Sequence, residues 1–410
     1  MISNLKGYTL TQDEEVAEIV VINSCTVTNK ADREVRSYAR KQASLGKKVF
    51  FTGCGVKHLG RDLFKQNLIF GLFSHSHKEQ VNHFLSSSSP VYLPMERQSK
   101  HVDSTILPGI SGRVRAFIKV QEGCNFACSY CIIPSVRGPA RSFSHDQIVK
   151  QVELLTHGGV GEVILTGTNL GSYGQDSGTN LARLIEALCE IKGLRRLRLG
   201  SLEPSQIDND FLQALESPKL ERHLHIALQH TSQEMLEIMN RKNRFESDLE
   251  LFSQLASRGF SLGTDYIVGH PGESERLFQE AIENLEKLPI THIHPFVYSP
   301  RRGTASAKMQ DLESINGALA KQRLKLVKDL VAKKSLEFRL SRRGEILEVL
   351  IDGTRPYANA SSEALSGLDQ YFNRILIPPH LLKEGMGRGA WLRVSGYTPD
   401  LALNVATAID

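Results

Sequence analysis

Apolar and polar positions along this chain fall into three successive rhythms. Up to about residue 85, short apolar runs are separated by longer amphipathic stretches. Ile19-Val20-Val21-Ile22 is a continuous, mostly β-branched run of the kind buried in a parallel sheet. It passes through Asn23–Asn29 into a helix-like stretch, Lys30–Ala43, and the runs Val49-Phe50-Phe51 and Leu68–Phe73 follow. From Val114 the alternation becomes regular. Apolar runs at Val114–Val120, Glu162–Thr166, Leu197–Gly200, Leu224–Leu228, Leu262–Val268 and Ile293–Val297 are separated by helical patterns. Those helical patterns include Asp146–Thr156, Leu181–Ile191, Phe211–Glu216, Gln233–Met239, Asp248–Ser257 and Glu275–Leu288. Six βα units with short connections predict a parallel sheet with helices outside. Six is fewer than the eight of a closed (β/α)8 barrel, so an open, partial (β/α)6 barrel is expected.

The third rhythm begins with a basic helix. Residues 321–343 hold nine Lys/Arg against two acids, with Leu324, Val327 and Val331 along one face. This is either a solvated amphipathic surface or a phosphate-contacting stripe. Short strand-like runs follow at Ile346–Ile351, Arg374–Ile377, Ala390–Ser395 and Leu401–Ala406, with turns expected at Gly353, Pro356, Gly367 and Pro378. That is the pattern of a small β-barrel or sandwich, of the size that binds RNA in OB-like modules. Ser86-Ser87-Ser88-Ser89-Pro90 and the polar stretch to Gly112 read as a linker. The expected class is α/β: an N-terminal parallel-sheet domain over 1–85, a linker over 86–112, a partial barrel over 113–335 and a small β-barrel over 336–410.

Charge and cysteine usage narrow the setting. Lys+Arg 50 against Asp+Glu 45 gives +5, so any nucleic-acid footprint must be local. The N-terminus lacks a secretory h-region, and no run reaches the ~18 apolar residues of a membrane span. A cytoplasmic protein without a membrane partner is expected. The six cysteines, at 25, 54, 124, 128, 131 and 189, then read as reduced thiols and metal ligands rather than disulfides. Cys189, one turn after Ile185 in a helical pattern, reads as core packing.

Gln121-Glu122-Gly123-Cys124-Asn125-Phe126-Ala127-Cys128-Ser129-Tyr130-Cys131 carries the chemistry. Three cysteines at spacing CxxxCxxC directly after a strand can converge on one soft metal centre. A 4Fe–4S cluster held by three thiolates leaves one iron open to a small molecule. A zinc knuckle would want a fourth Cys or His nearby, and the next His is His145; a disulfide with a spare thiol is the other alternative. Further polar residues end other strands: Gly167 and Thr168, Glu203, and Gln229. Taken singly each is a turn or a cap, but their recurrence on one rim points to a ligand site. Cys25 and Cys54 likewise sit just past the ends of two strands of the first domain, as a second candidate site or a pair of buried thiols.

The cysteine loop resembles the CxxxCxφC signature of radical S-adenosylmethionine (SAM) enzymes, with Tyr130 as φ. Nearly the whole chain is similar to the methylthiotransferases of that superfamily, through Val20–Thr28, Thr52-Gly53-Cys54, Ile132–Gly138, Ser201-Leu202-Glu203-Pro204 and Thr264–Glu273. The resemblance implies that Cys124, Cys128 and Cys131 hold the cluster whose electron cleaves SAM to methionine and a 5′-deoxyadenosyl radical. It places Tyr130 near the adenine, with Gly167, Thr168, Glu203 and Gln229 as the other SAM-site candidates. Cys25 and Cys54 then serve an auxiliary 4Fe–4S cluster that delivers sulfur, a second SAM gives the methyl group, and a donor such as flavodoxin supplies electrons. The C-terminal runs resemble the family's RNA-binding TRAM domain. Asn23–Arg33 and Pro295–Met309 look most like the branch that modifies N6-threonylcarbamoyladenosine beside the anticodon of tRNA. Sister branches act on isopentenyladenosine in tRNA and on a ribosomal-protein aspartate. The family's auxiliary cluster uses three cysteines, the first of them upstream of anything present here. The chain is therefore expected to be truncated, lacking the first strand and first cysteine, which leaves a catalytically impaired iron–sulfur RNA-binding protein as the alternative.

Overall fold

The computed structural model describes residues 5–94, 114–357, 362–400 and 403–410. The first domain is a parallel sheet of β1 (Ile19–Ser24), β2 (Lys48–Gly53), β3 (Gly71–Phe73) and β4 (Val91–Leu93), paired in that order. The helix Asn29–Ser44 is capped by the Thr28 side chain, which accepts from Ala31 N, and lies over the sheet. Phe50, Phe51, Leu72 and Phe73 are fully enclosed, as apolar runs of a two-sided sheet must be. One expectation is corrected here. Val91–Leu93, inside the stretch read as linker, pairs with β3 as the edge strand. Three residues beside a serine run are too short a signal to register as a strand. The remainder of that stretch, 95–112, lies outside the described residues.

The second unit opens with β5 (Arg115–Lys119), followed by a small antiparallel pair, β6 (Gln121–Glu122) and β7 (Arg141–Ser142). β8 (Glu162–Thr166) and β9 (Arg196–Leu199) continue the parallel sheet from β5. β10 (His223–His225), β11 (Ser261–Val268) and β12 (His292–Val297) form the other parallel half. Single bridges, Leu197 to Leu220 and Leu202 to Ile226, join the halves. Six parallel strands in sequential order make the expected partial barrel, with a continuous core between strands and outer helices. All six carboxyl ends lie on one rim, so the loops after them share one side of the molecule.

The last sheet is antiparallel except for one pair and curls on itself: β13 (Leu347–Tyr357), β14 (Ser362–Leu368), β15 (Arg374–Ile377), β16 (Trp391–Val394), β17 (Gly396–Pro399) and β18 (Asn404–Ala408), in the order β16-β13-β14-β15-β18-β17. Three residues expected in turns lie within strands instead. Gly353 follows a bulge in β13, Pro356 pairs with Glu363, and Gly367 sits in β14 opposite Ile351. At Gly367 an added Cβ would lie 2.3 Å from Leu350 O, so this glycine serves close strand approach rather than a turn. The basic helix, Gly317–Ser341, runs through the boundary drawn at 335/336. Its stripe is also thinner than the sequence implies. Arg323 is buried against Glu273, Arg339 is buried on Leu403 O and Asn404, and Lys334 donates to Glu286 O. Among the described residues no helix is long and apolar enough to cross a membrane.

This domain closes the lower mouth of the barrel. Arg196 donates to Glu348 O and Leu368 O, Arg198 to Asp369 O, and Phe372 stacks on His223 at 4.9 Å. Gly367→Ala should therefore lower stability by about 1–3 kcal/mol or more through forced strand separation. Gly353→Ala, where no atom lies within 4 Å, should stay within about 0.5 kcal/mol. Urea unfolding of both variants checks the contrast.

Candidate functional site

The cysteine loop is a hairpin pinned at its base by β6 and β7. Gly123 has φ +78, and a Cβ there would lie 2.0 Å from Pro139 O, so only glycine lets the two arms meet. Cys124 N donates to Gly138 O, and Ser129 ties the loop to the end of the helix Gln233–Ile238 through Met239 O and Ile238 O. Cys124, Cys128 and Cys131 face one cavity of about 370 Å³ at the strand-end rim. All three are unpaired thiols, and no fourth cysteine or histidine lines the cavity among the described residues.

N–H groups converge on the sulfurs. Phe126 N lies 3.4 Å and Asn169 Nδ2 3.7 Å from Cys124 Sγ, and Arg241 Nη1 lies 3.5 Å from Cys128 Sγ. Burial raises the Cys128 thiol and pushes Cys131 up to about 12, so without a cation these groups hold their protons. Donors aimed at sulfurs suit thiolates bound to iron better than thiols. The donor set thus fits a three-thiolate cluster loop, and a four-ligand zinc site lacks its fourth nitrogen or sulfur.

Tyr130, Thr168, Glu203 and Gln229 line the same cavity. Gln229 holds φ +68, an uncommon backbone conformation for a residue other than glycine, between hydrogen bonds to Asp265 O and from Ile267 N. Gly167 does not line it. It lies beneath the Gln121 side chain, where a Cβ would come 3.0 Å from Gln121 Cβ and Oε1, and Gln121 Oε1 accepts from Asn169 N. Its part is spacing between β6 and the β8 loop. The cavity also holds residues that sequence reasoning missed. Arg241 grips Glu203 with both terminal nitrogens, at 3.1 and 2.6 Å, and also reaches Ala227 O. Burial raises the Glu203 carboxyl, and Arg241 opposes that rise. Asp265, two residues upstream of Ile267 in β11, reaches the cavity as well.

Cys25 and Cys54 share a second cavity of about 500 Å³. Gly53, at φ +97, lets the ends of β1 and β2 converge: a Cβ would lie 2.4 Å from Ser24 O, which accepts from Cys54 N. Arg137 Nε donates to Cys54 Sγ at 3.1 Å, and His75 Nε2 lies 3.9 Å away. Lys119, Arg137 and Arg141 surround Glu122. Burial alone would raise the Glu122 carboxyl, but these cations outweigh it and hold it at about 2. Burial, with Lys78 and Arg137, brings His75 down to about 2, leaving a neutral imidazole. Val27 and Ile133 line both cavities, so these two apolar side chains form a partition common to the two cysteine sites.

The family model for the Radical SAM superfamily matches residues 118–285, and that for the uncharacterized protein family UPF0004 matches residues 1–73. A Helicobacter pylori protein (strain J99) named as a candidate methylthiotransferase is 51% identical over 376 residues, 91% of this chain and 88% of the relative. The threonylcarbamoyladenosine tRNA methylthiotransferase MtaB of Aquifex aeolicus is 36% identical over 361 residues, 84% of this chain and 86% of its own. Among solved structures, the radical SAM methyltransferase TsrM from Kitasatospora setae superposes with TM-score 0.56 at 16% identity, covering 72% of this chain and 66% of that one, a likeness of fold.

Arg241→Met should cost about 3–5 kcal/mol, because it strands the Glu203 carboxylate in a buried place. Adding Glu203→Leu should recover much of that loss, as a double-mutant cycle in urea would show. Additive losses would mean that the two side chains are not coupled.

Proposed function

This chain belongs to the radical SAM methylthiotransferase family, and on that premise we propose that it modifies tRNA, adding a methylthio group at C2 of N6-threonylcarbamoyladenosine next to the anticodon. The enzyme is a radical SAM methylthiotransferase whose cofactors are a 4Fe–4S cluster and SAM. The observation that carries the reading is the pair of cysteine cavities with a common partition at Val27 and Ile133. A reaction that generates a carbon radical and then supplies sulfur to it needs both centres within reach of one base. The tRNA substrate follows the name of the Aquifex relative, supported by the residues of the Asn23–Arg33 and Pro295–Met309 segments.

In this reading Cys124, Cys128 and Cys131 would hold the 4Fe–4S cluster, whose chemistry when bound would be one-electron reductive cleavage of SAM. Asn169 and the Phe126 amide donate to the Cys124 sulfur and Arg241 to the Cys128 sulfur, which steadies the loop. Arg241 holds the Glu203 carboxylate in the cavity wall, where with Tyr130, Thr168 and Gln229 it would bind the polar groups of SAM. Cys25 and Cys54 serve the sulfur-delivering centre, and Arg137 orients the Cys54 sulfur. Residues 113–335 are read as the radical core, and 336–410, resembling a TRAM domain, as binding tRNA together with the exposed lysines of the helix that crosses their boundary. The setting is cytoplasmic, with a small reductant such as flavodoxin as electron donor.

Cys124→Ala, Cys128→Ala and Cys131→Ala should each abolish formation of 5′-deoxyadenosine by the anaerobically reconstituted protein. Cys54→Ala should keep that activity and lose the methylthio product, read by mass spectrometry of tRNA nucleosides. Deoxyadenosine formation surviving in any of the three loop variants would sink the assignment of that loop.

Lys321, Lys328 and Lys333 remain exposed on the basic helix. Reversing all three to Glu should weaken tRNA binding and flatten its salt dependence, by up to about 0.7–0.9 for each phosphate that is no longer neutralised. An unchanged salt slope would place the RNA elsewhere.

A further inference from the structure

The β10, β11 and β12 strands run side by side, and their registers align a histidine, an aspartate and a second histidine below the rim. His225 pairs with Gly263, and Asp265 pairs with His294. His225 Nε2 lies 3.2 Å and His294 Nδ1 3.6 Å from the same oxygen, Asp265 Oδ1. All three donor atoms fall within 4.8 Å of one another. Two bonds of about 2.1 Å to one ion, at tetrahedral or octahedral angles, separate their donors by roughly 3–3.4 Å. The spacing therefore suits a shared ion without large movement.

We infer that His225, Asp265 and His294 form a binding site for one divalent first-row metal ion, distinct from the cysteine centres. Two imidazoles and a carboxylate select ions of this class and leave further coordination positions open. Of the three, Asp265 also lines the 370 Å³ cavity, which puts the site at the edge of the space where the cysteine loop and Glu203 converge. An oxygen or nitrogen donor of a molecule in that cavity could complete the coordination.

Gly263 is a second observation. A Cβ there would lie 3.0 Å from His225 Nδ1 and 3.0 Å from His223 Cε1, while its backbone lies outside the left-handed region. This glycine is present for space: it seats the His225 ring at the height where Nε2 reaches Asp265. The His225 and His294 rings stack at 4.9 Å, one on each flank of the carboxylate strand. His294 keeps 58% of its side chain exposed, which gives an ion a path of entry.

The inference does not depend on the tRNA reading, and its test reads metal rather than activity. The full chain, with its clusters reconstituted so that the thiols carry iron, is dialysed anaerobically against micromolar Zn²⁺ and desalted. Zinc and iron are then counted by mass spectrometry, and the zinc K-edge spectrum is recorded. The expected result is one zinc per chain with a nitrogen and oxygen shell at about 2.0–2.1 Å. His294→Gln and Asp265→Asn should lose that equivalent while iron and sulfide stay unchanged. Because the His294 side chain is largely exposed, its variant is the one expected to fold normally. The wild-type spectrum decides the matter even if a variant does not fold. Absence of bound zinc, a sulfur shell near 2.3 Å, or full retention of zinc in folded His294→Gln would each overturn the site and leave a hydrogen-bonded Asp–His–His network.

Discussion

One carboxylate organises the lower end of the barrel. Glu162 at the start of β8 is fully buried and meets Arg115 on β5 at 2.7 Å, Arg196 on β9 at 3.2 Å and Arg198 at 3.1 Å. Charges in such a place persist only when every partner is present, since one left unpaired costs several kcal/mol. Arg196 and Arg198 also donate to carbonyls at 348, 368 and 369 of the last domain, Arg115 pairs there with Asp352 at 3.2 Å, and Arg198 pairs with the buried Glu221. A six-stranded barrel cannot fill its own lower mouth, so the neighbouring domain does so. The rim that carries the cysteine loop at the other end is then free to remain polar and open.

The first domain is held to that rim by a second, smaller network. Arg301 is buried and reaches Asp32 at 2.5 Å, Thr26 at 2.7 Å and Asn29 at 2.8 Å, and Asn29 N donates to Ser299 Oγ. These contacts bring the β1 and β2 strand ends over the cysteine loop. Arg137 reaches the other way, from the loop to Cys54 and Glu122.

Much of this was legible in the sequence because it rests on local rules. Apolar runs located all six barrel strands, and the rule that ligands gather at parallel-strand ends pointed to Cys25, Cys54 and the Cys124 loop. What was not legible depends on partners distant in sequence. Arg241 follows a helix with no motif about it, and only the fold brings it to Glu203 and Cys128. Arg323 and Arg339 count toward a basic stripe until tertiary contacts turn them inward. Gly353, Pro356 and Gly367 are turn formers by type, yet a curled sheet uses such residues where strands bulge or crowd. His225, Asp265 and His294 lie on three separate strands, and nothing short of register brings them together.

Val27 belongs to the first domain and Ile133 to the barrel loop, yet each helps to bound both cysteine cavities. The partition therefore works as an alignment gauge between two bodies. A small rotation of one domain on the other would alter both chambers together, while the cysteines within each kept their spacing. The alignment of the two chambers is then set by the contacts that dock the domains, Arg301 on one side and Arg137 on the other.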